Sequence, residues 1–282
     1  MELNRLRNIC QPKNPERPWS LSEKITRYFS IYFTCIFIKL GITANAVSFL
    51  SVVVGYVGCY FIISDLYMGV LIGAIFLVIW DVLDCSDGEV ARFNKQSSLT
   101  GLYVDRMAGL VVGVAQYIFI GFYVYNITND IYAIIFGIVA SISRPISTLS
   151  SSHMQVSALE AFLYNYKKED KNIILEDNDT SFIPDLDFVG VKKHNLIMTT
   201  GWFFYKGIGK HFLFIISIFV DFFILDVSNM TTIYDSAIGI YLIIYGVFSP
   251  LAWGWMVYKI IKNKSTEAFY NKILSRSKIY SK

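Results

Sequence analysis

The sequence predicts an all-α integral membrane protein: six transmembrane helices preceded by a cytoplasmic interfacial amphipathic helix, with both termini cytoplasmic. Three observations carry that expectation. Of 282 residues, 54% are hydrophobic and only 17% are charged, against about 25% charged in a soluble domain. The apolar residues gather into runs of roughly 20, the length that crosses a bilayer. The basic residues, finally, are confined to alternate connections between those runs, as the positive-inside rule requires. The same composition excludes a disordered chain, a collagen-like repeat and a disulfide-rich secreted scaffold. A net charge of +3 gives no reason to expect a nucleic-acid partner.

Residues 1–41 read as a cytoplasmic tail and interfacial helix. The first 20 residues are polar, basic and proline-containing, unlike a cleavable signal peptide. From Trp19 onward Leu21, Ile25, Tyr28, Phe29, Tyr32, Phe33, Ile36 and Leu40 recur at helical spacing, with Lys24 and Arg27 away from that stripe. Such a helix lies on the inner leaflet; a re-entrant segment is the alternative. Residues 42–160 hold spans one to four: Ala44–Ile63, Leu66–Trp80 continuing into an acidic helical stretch, the uncharged run between Arg106 and Asp130, and a run from Ile131 interrupted at Arg144-Pro145. Residues 161–210 are the one long polar stretch and read as a cytosolic loop packed against the membrane core. Residues 211–260 hold span five, His211–Val227, which contains Asp221, and span six, Ser236–Tyr258, with Pro250 as an expected kink. Residues 261–282 form a basic cytoplasmic tail.

The orientation follows from the 25 Lys and Arg residues. All fall in the N-terminal segment, the connections after spans two and four, or the C-terminal tail. The segments Ser64–Tyr67, Asn126–Asp130 and Ser228–Asp235 contain none. The four cysteines share no CxxC spacing and sit where disulfides are rare. His153, His194 and His211 show no metal-ligand spacing and read as surface or interfacial residues. Lys192, Lys193, His194, Lys206 and Lys210 read as lipid-facing positive-inside charges.

Carboxylates near a membrane are costly, so a cluster of them points to function. Asp81, Asp84 and Asp87 follow one another at spacings of three, which puts neighbours on one helix flank. Asp105 lies four residues beyond Gly101, and a tight turn between spans two and three brings it to the depth of Asp84 and Asp87. Adjacent carboxylates repel unless a cation lies between them, and carboxylate oxygens suit magnesium or manganese. Gly88, Ala91 and Gly101 are small enough for a flat ligand to approach closely. Arg92 can answer a phosphate or a carboxylate.

The run Asp84-Cys85-Ser86-Asp87-Gly88-Glu89-Val90-Ala91-Arg92, eight residues, Gly101, three residues and Asp105 resembles the signature of the CDP-alcohol phosphotransferases (CDP-alcohol phosphatidyltransferases), DxxDGxxARx8GxxxDxxxD. Every fixed position matches except the last, where Gly109 stands in place of aspartate. Thr43-Ala44-Asn45 at the start of span one resembles the family's Thr-Pro-Asn. The wider likeness spans Trp19–His153.

The resemblance implies a membrane transferase that moves a substituted phosphate group from a CDP-alcohol to a hydroxyl or phosphate-bearing acceptor and releases CMP, in phospholipid or surface-glycoconjugate synthesis. It implies Mg2+ or Mn2+ held by Asp84, Asp87 and Asp105, with Asp105 and Asp87 catalytic. The nucleotide would be bound by Asn45, Asp84, Gly88, Ala91, Arg92 and Gly101. The expected partners are the CDP-alcohol donor, a lipid or membrane-associated acceptor and the bilayer, at a site facing the cytoplasm; a homodimer stays open, with Asp221 at a seam or facing a polar bundle interior. Arg144 and Asp81 are the candidates for acceptor binding. Gly109 removes the family's last carboxylate, which leaves Asp81, Glu89, or Asp185 and Asp187 of the long loop as replacements, or an acceptor acidic enough to need none. The competing readings are a non-catalytic homologue that binds a CDP-ligand and metal, and a transporter. Transport sites sit near the midplane between repeated halves, whereas these acids gather at one edge and no repeat is visible.

Overall fold

The structure, a computed structural model, describes residues 3–12, 19–64, 67–95, 99–168, 207–225 and 230–277. These form helices α1 (Leu3–Cys10), α2 (Leu21–Lys39), α3 (Ala44–Ile63), α4 (Tyr67–Phe93), α5 (Leu99–Thr128), α6 (Ile131–Lys168), α7 (Ile208–Phe223), α8 (Ala237–Lys262) and α9 (Ser265–Ser277), with a short 3-10 turn at Ile233–Asp235. No strand occurs among the described residues. Five helices, α3, α4, α5, α6 and α8, are long and apolar enough to cross a membrane. α7, the expected fifth span, has 16 residues, short of the usual length.

The chain divides into two compact units. The first comprises Met1–Ile142 and Gly190–Val247, the second Ser143–Val189 and Phe248–Lys282. In the first, α3 and α4 cross with their backbones in contact. A Cβ on Gly73 would stand 2.6 Å from the Gly58 carbonyl oxygen, and one on Gly58 would stand 3.0 Å from that of Gly73. Small residues drive helix association in this way where lipid removes the hydrophobic incentive. Trp80, Leu77, Val112, Tyr117, Phe214 and Tyr241 fill the core around that crossing.

Helix α2 turns the usual pattern inside out. Its buried positions include Ser22, Thr26, Ser30 and Thr34, a hydroxyl row at spacing four, while Tyr28, Phe29, Tyr32 and Ile36 are exposed. Ser20 begins the helix with a capping box: its hydroxyl accepts from Glu23 N, and the Glu23 carboxylate accepts from Ser20 N.

Asp221 has a structural explanation. Its carboxylate accepts hydrogen bonds from Ser236 Oγ at 2.7 Å, from Ile238 N at 3.1 Å and from Ala237 N. It therefore satisfies the open amides at the start of α8. Beside it, Asp130 Oδ2 accepts from Ile233 N at 3.0 Å. Asp235 accepts from the amides of Thr231 and Thr232, which hold its carboxyl below the usual range.

In the second unit α6 does not break at Arg144-Pro145. It runs on to Lys168 with Pro145 inside it, so the interruption read from the sequence is corrected, and the start of the expected 161–210 loop is helical. Neighbouring groups often re-satisfy the backbone that a proline frees in such a helix. Trp253 Nε1 donates to Ser150 Oγ at 2.8 Å, and the Lys259 and Lys262 ammonium groups stand over the rings of Trp255 and Tyr258. Asp185, Asp187, Lys192, Lys193, His194 and Lys206 lie outside the described residues.

Candidate functional site

The acidic motif occupies the last turns of α4 and the first turns of α5. Asp87 is 3% exposed. Its Oδ2 accepts from Ser48 Oγ on α3 and its Oδ1 from Gly88 N. Asp105, across the α4–α5 turn, is the like charge acting most strongly on it. Asp84 and Asp105 are half-buried, as are Gly88, Ala91 and Gly101. Asn45 is exposed in the first turn of α3, after the Thr43 cap and one turn before Ser48.

Among the described residues no three acid, histidine or cysteine side chains converge as a ready-made metal cage. The donor set nonetheless fits a hard cation. Magnesium is commonly held by one or two carboxylates, with substrate phosphates and water completing its shell. Two neighbouring carboxylates, one oriented by a hydroxyl on a third helix, match that requirement, and Asp84 stands one turn away on the same flank.

Arg92 is fixed from behind. Its Nε donates to the Cys10 carbonyl oxygen at 2.6 Å, at the end of α1. Its guanidinium lies against Gly88, where an added Cβ would stand 3.3 Å from Nη1. A side chain at position 88 would press on that guanidinium and ask it to shift by a few tenths of an ångström.

Glu89 does not reach over the acids. It is fully buried and faces α1 and α2. Its Oε1 accepts from Gln11 Nε2 at 2.7 Å and from Ser30 Oγ at 2.6 Å, and its Oε2 from Thr34 Oγ1 at 2.7 Å. Three donors commit this carboxylate to joining helices, so it is withdrawn as a replacement for the missing aspartate.

Asp81 is buried and meets His211 on α7, with Nε2 and Oδ2 3.1 Å apart. The reading of His211 as a surface or interfacial residue is thereby corrected. The lipid-facing reading of Lys210 is corrected with it: Lys210 is 0% exposed, and its ammonium stands 5.0 Å from the centre of the Trp80 ring. A charge so placed avoids lipid by facing an aromatic ring inside the bundle. Gly109 is half-buried, and nothing lies within 4 Å of where its Cβ would be. The Arg144 side chain lies outside the described residues.

The structure adds Ser48, Gln11, Ser30, Thr34 and His211 to the residues expected from the sequence. A signal existed for Ser48, Ser30 and Thr34, and none for Gln11. Ser48 and Ser51 are hydroxyls in an apolar span, and the Ser/Thr row of α2 has helical spacing. Only the α4–α7 contact reveals His211.

Residues 41–166 match the sequence model of a known family, CDP-alcohol phosphatidyltransferase. The match begins after α2 and extends past His153. No curated protein matches the chain.

Proposed function

We infer, from a chain that carries a CDP-alcohol phosphatidyltransferase domain, a membrane transferase that moves a substituted phosphate group from a CDP-alcohol to an acceptor hydroxyl and releases CMP. The observation that carries this reading is the Asp87–Asp105 pair, set by Ser48 beside Gly88 and Arg92. Asp84, Asp87 and Asp105 would hold Mg2+ or Mn2+. When bound, the cation would offset charge on the phosphoryl oxygens and on the departing CMP.

The chain's own residues do the rest. Gly88, Ala91 and Gly101 leave room for the cytidine diphosphate, Asn45 and Asp84 face its ends, and Arg92 answers a diphosphate oxygen. The acceptor oxygen bonds to the β-phosphorus while the bond from that phosphorus to the bridging oxygen breaks. CMP keeps the electron pair. With glycine at 109, the acceptor's proton passes to the Asp81–His211 pair, one helical turn from Asp84. The open space at Gly109 admits the acceptor, which is a lipid or membrane-associated alcohol. Phospholipid and surface-glycoconjugate synthesis are the two settings for such a product.

Topologically, α7 serves as the short fifth of six spans, both termini face the cytoplasm, and the site opens there, where all the Lys and Arg residues gather. The outward aromatic face of α2 supports its lying in the interface. A second reading, a non-catalytic homologue that binds a CDP-ligand, is favoured by one observation, the glycine at 109. Purified chain incubated with a panel of CDP-alcohols and Mg2+ or Mn2+ separates the two: CMP release supports the transferase, and CDP binding without release from any acceptor supports the homologue.

A further inference from the structure

Residues 3–12 lie outside the matched domain, yet they touch its motif at two points. Arg92 Nε donates to the carbonyl of Cys10 at 2.6 Å. Gln11 Nε2 donates both to Glu89 Oε1 at 2.7 Å and to the Arg27 carbonyl at 2.8 Å. One amide group thus ties the end of α1 to α2 and to α4 together. Leu6 and Cys10 are buried with Ile31 of α2 beneath α1, so the helix is seated by packing as well as by hydrogen bonds.

The consequence falls on Arg92. An arginine has several rotatable bonds, and ordering so long a side chain costs conformational entropy. A hydrogen bond at Nε leaves the two terminal nitrogens as a planar fork suited to phosphate oxygens. Here that fork lies against Gly88, inside the motif.

We propose that α1 and Gln11 are a positioning element for the donor's diphosphate: the Cys10 carbonyl aims the Arg92 guanidinium across Gly88, and the Gln11–Glu89 hydrogen bond holds α1 in place to do so. The inference rests on the nucleotide reading above and adds residues from outside the matched domain to that site. Cys10 and Gln11 touch no substrate; they act through Arg92.

The test is a double-mutant cycle on the full chain in lipid nanodiscs, with Mg2+-dependent CDP binding measured by calorimetry. In parallel, maleimide labelling of the buried Cys10 is followed by peptide mass, as a report on the seating of α1. Gln11→Ala is expected to weaken CDP binding about tenfold, the size of one charge-assisted hydrogen bond, and to speed Cys10 labelling. Arg92→Lys should weaken binding by a similar factor, and the double variant should bind no worse than Arg92→Lys alone. Additive losses would overturn the inference. So would full-strength CDP binding by a Gln11→Ala protein whose Cys10 has become reactive, and in that case the nucleotide reading would stand. Absence of CDP binding in the unaltered chain would overturn the nucleotide reading itself. Should Gln11→Ala fail to fold, Gln11→Met, which keeps the side chain's length and removes the amide donor to Glu89 and to the Arg27 carbonyl, is carried through the same cycle with the same expectations.

Discussion

His211, in the first turn of α7, stands 3.1 Å from Asp81, one helical turn before Asp84 on α4. The pair joins two helices far apart in sequence and puts an imidazole and a carboxylate beside a motif that lacks its last acid. Buried ionisable groups are costly unless they are paired, so this contact explains how both side chains are accommodated inside the bundle.

If the pair takes the acceptor's proton, Asp81→Asn should lower kcat about 100-fold, the lower end of what general-base catalysis supplies. Gly109→Asp in the same chain should restore much of the loss, since the space around position 109 is open. Steady-state CMP release from the two single variants and the double variant measures this. An Asp81→Asn protein with unaltered kcat would remove the pair from the mechanism.

Ser48 is expected to act through Asp87, whose Oδ2 accepts its hydroxyl. Ser48→Ala should reduce kcat by about tenfold, the scale of one hydrogen bond to a charged group. It should also raise the Mg2+ concentration needed for half-maximal rate. Ser48→Thr, which keeps the hydroxyl, should recover most of both. Metal titrations of the three proteins test it.

Glu89 has a stability role that can be separated from chemistry. Glu89→Ala leaves Ser30, Thr34 and Gln11 facing a void, and we expect a loss of about 3 kcal/mol, with Glu89→Gln losing less. Thermal unfolding in detergent, read by tryptophan fluorescence, measures both. Equal transition temperatures in the unaltered and Glu89→Ala proteins would contradict the network.

Burial, reinforced by the nearby Glu89 carboxylate, pushes the Cys10 thiol up to about 11, despite the opposing effect of Arg92. At pH 8 only about one molecule in a thousand then carries the reactive thiolate. Alkylation of Cys10 by iodoacetamide should be slow at pH 8 and accelerate about tenfold per pH unit until it levels off near 11. A plateau reached below pH 9 would contradict this placement.

Much of this architecture was legible in the sequence because lipid imposes a simple rule: apolar runs of fixed length, with basic residues on one side. The motif was legible for a related reason, since closely spaced acids and small residues in a membrane helix have few other uses. The paired contacts were not. The apolar stripe of α2 drew attention to the face that turns outward, while the hydroxyl row facing Glu89 carried the packing. Pro145 looked like a helix end because proline usually is one in water, yet α6 continues through it. Lys210 and His211 looked like surface charges because their neighbours on α4 are more than a hundred residues away in sequence. Such side chains are placed by helix packing, which a single sequence does not encode locally.

The most direct measurement is CMP release by the purified chain from a panel of CDP-alcohols, with Mg2+ or with EDTA, beside Asp87→Asn and Asp105→Asn. The account predicts release from at least one donor with the metal, none with EDTA, and none from either variant. Undiminished release in EDTA, or wild-type turnover by Asp87→Asn, would contradict it.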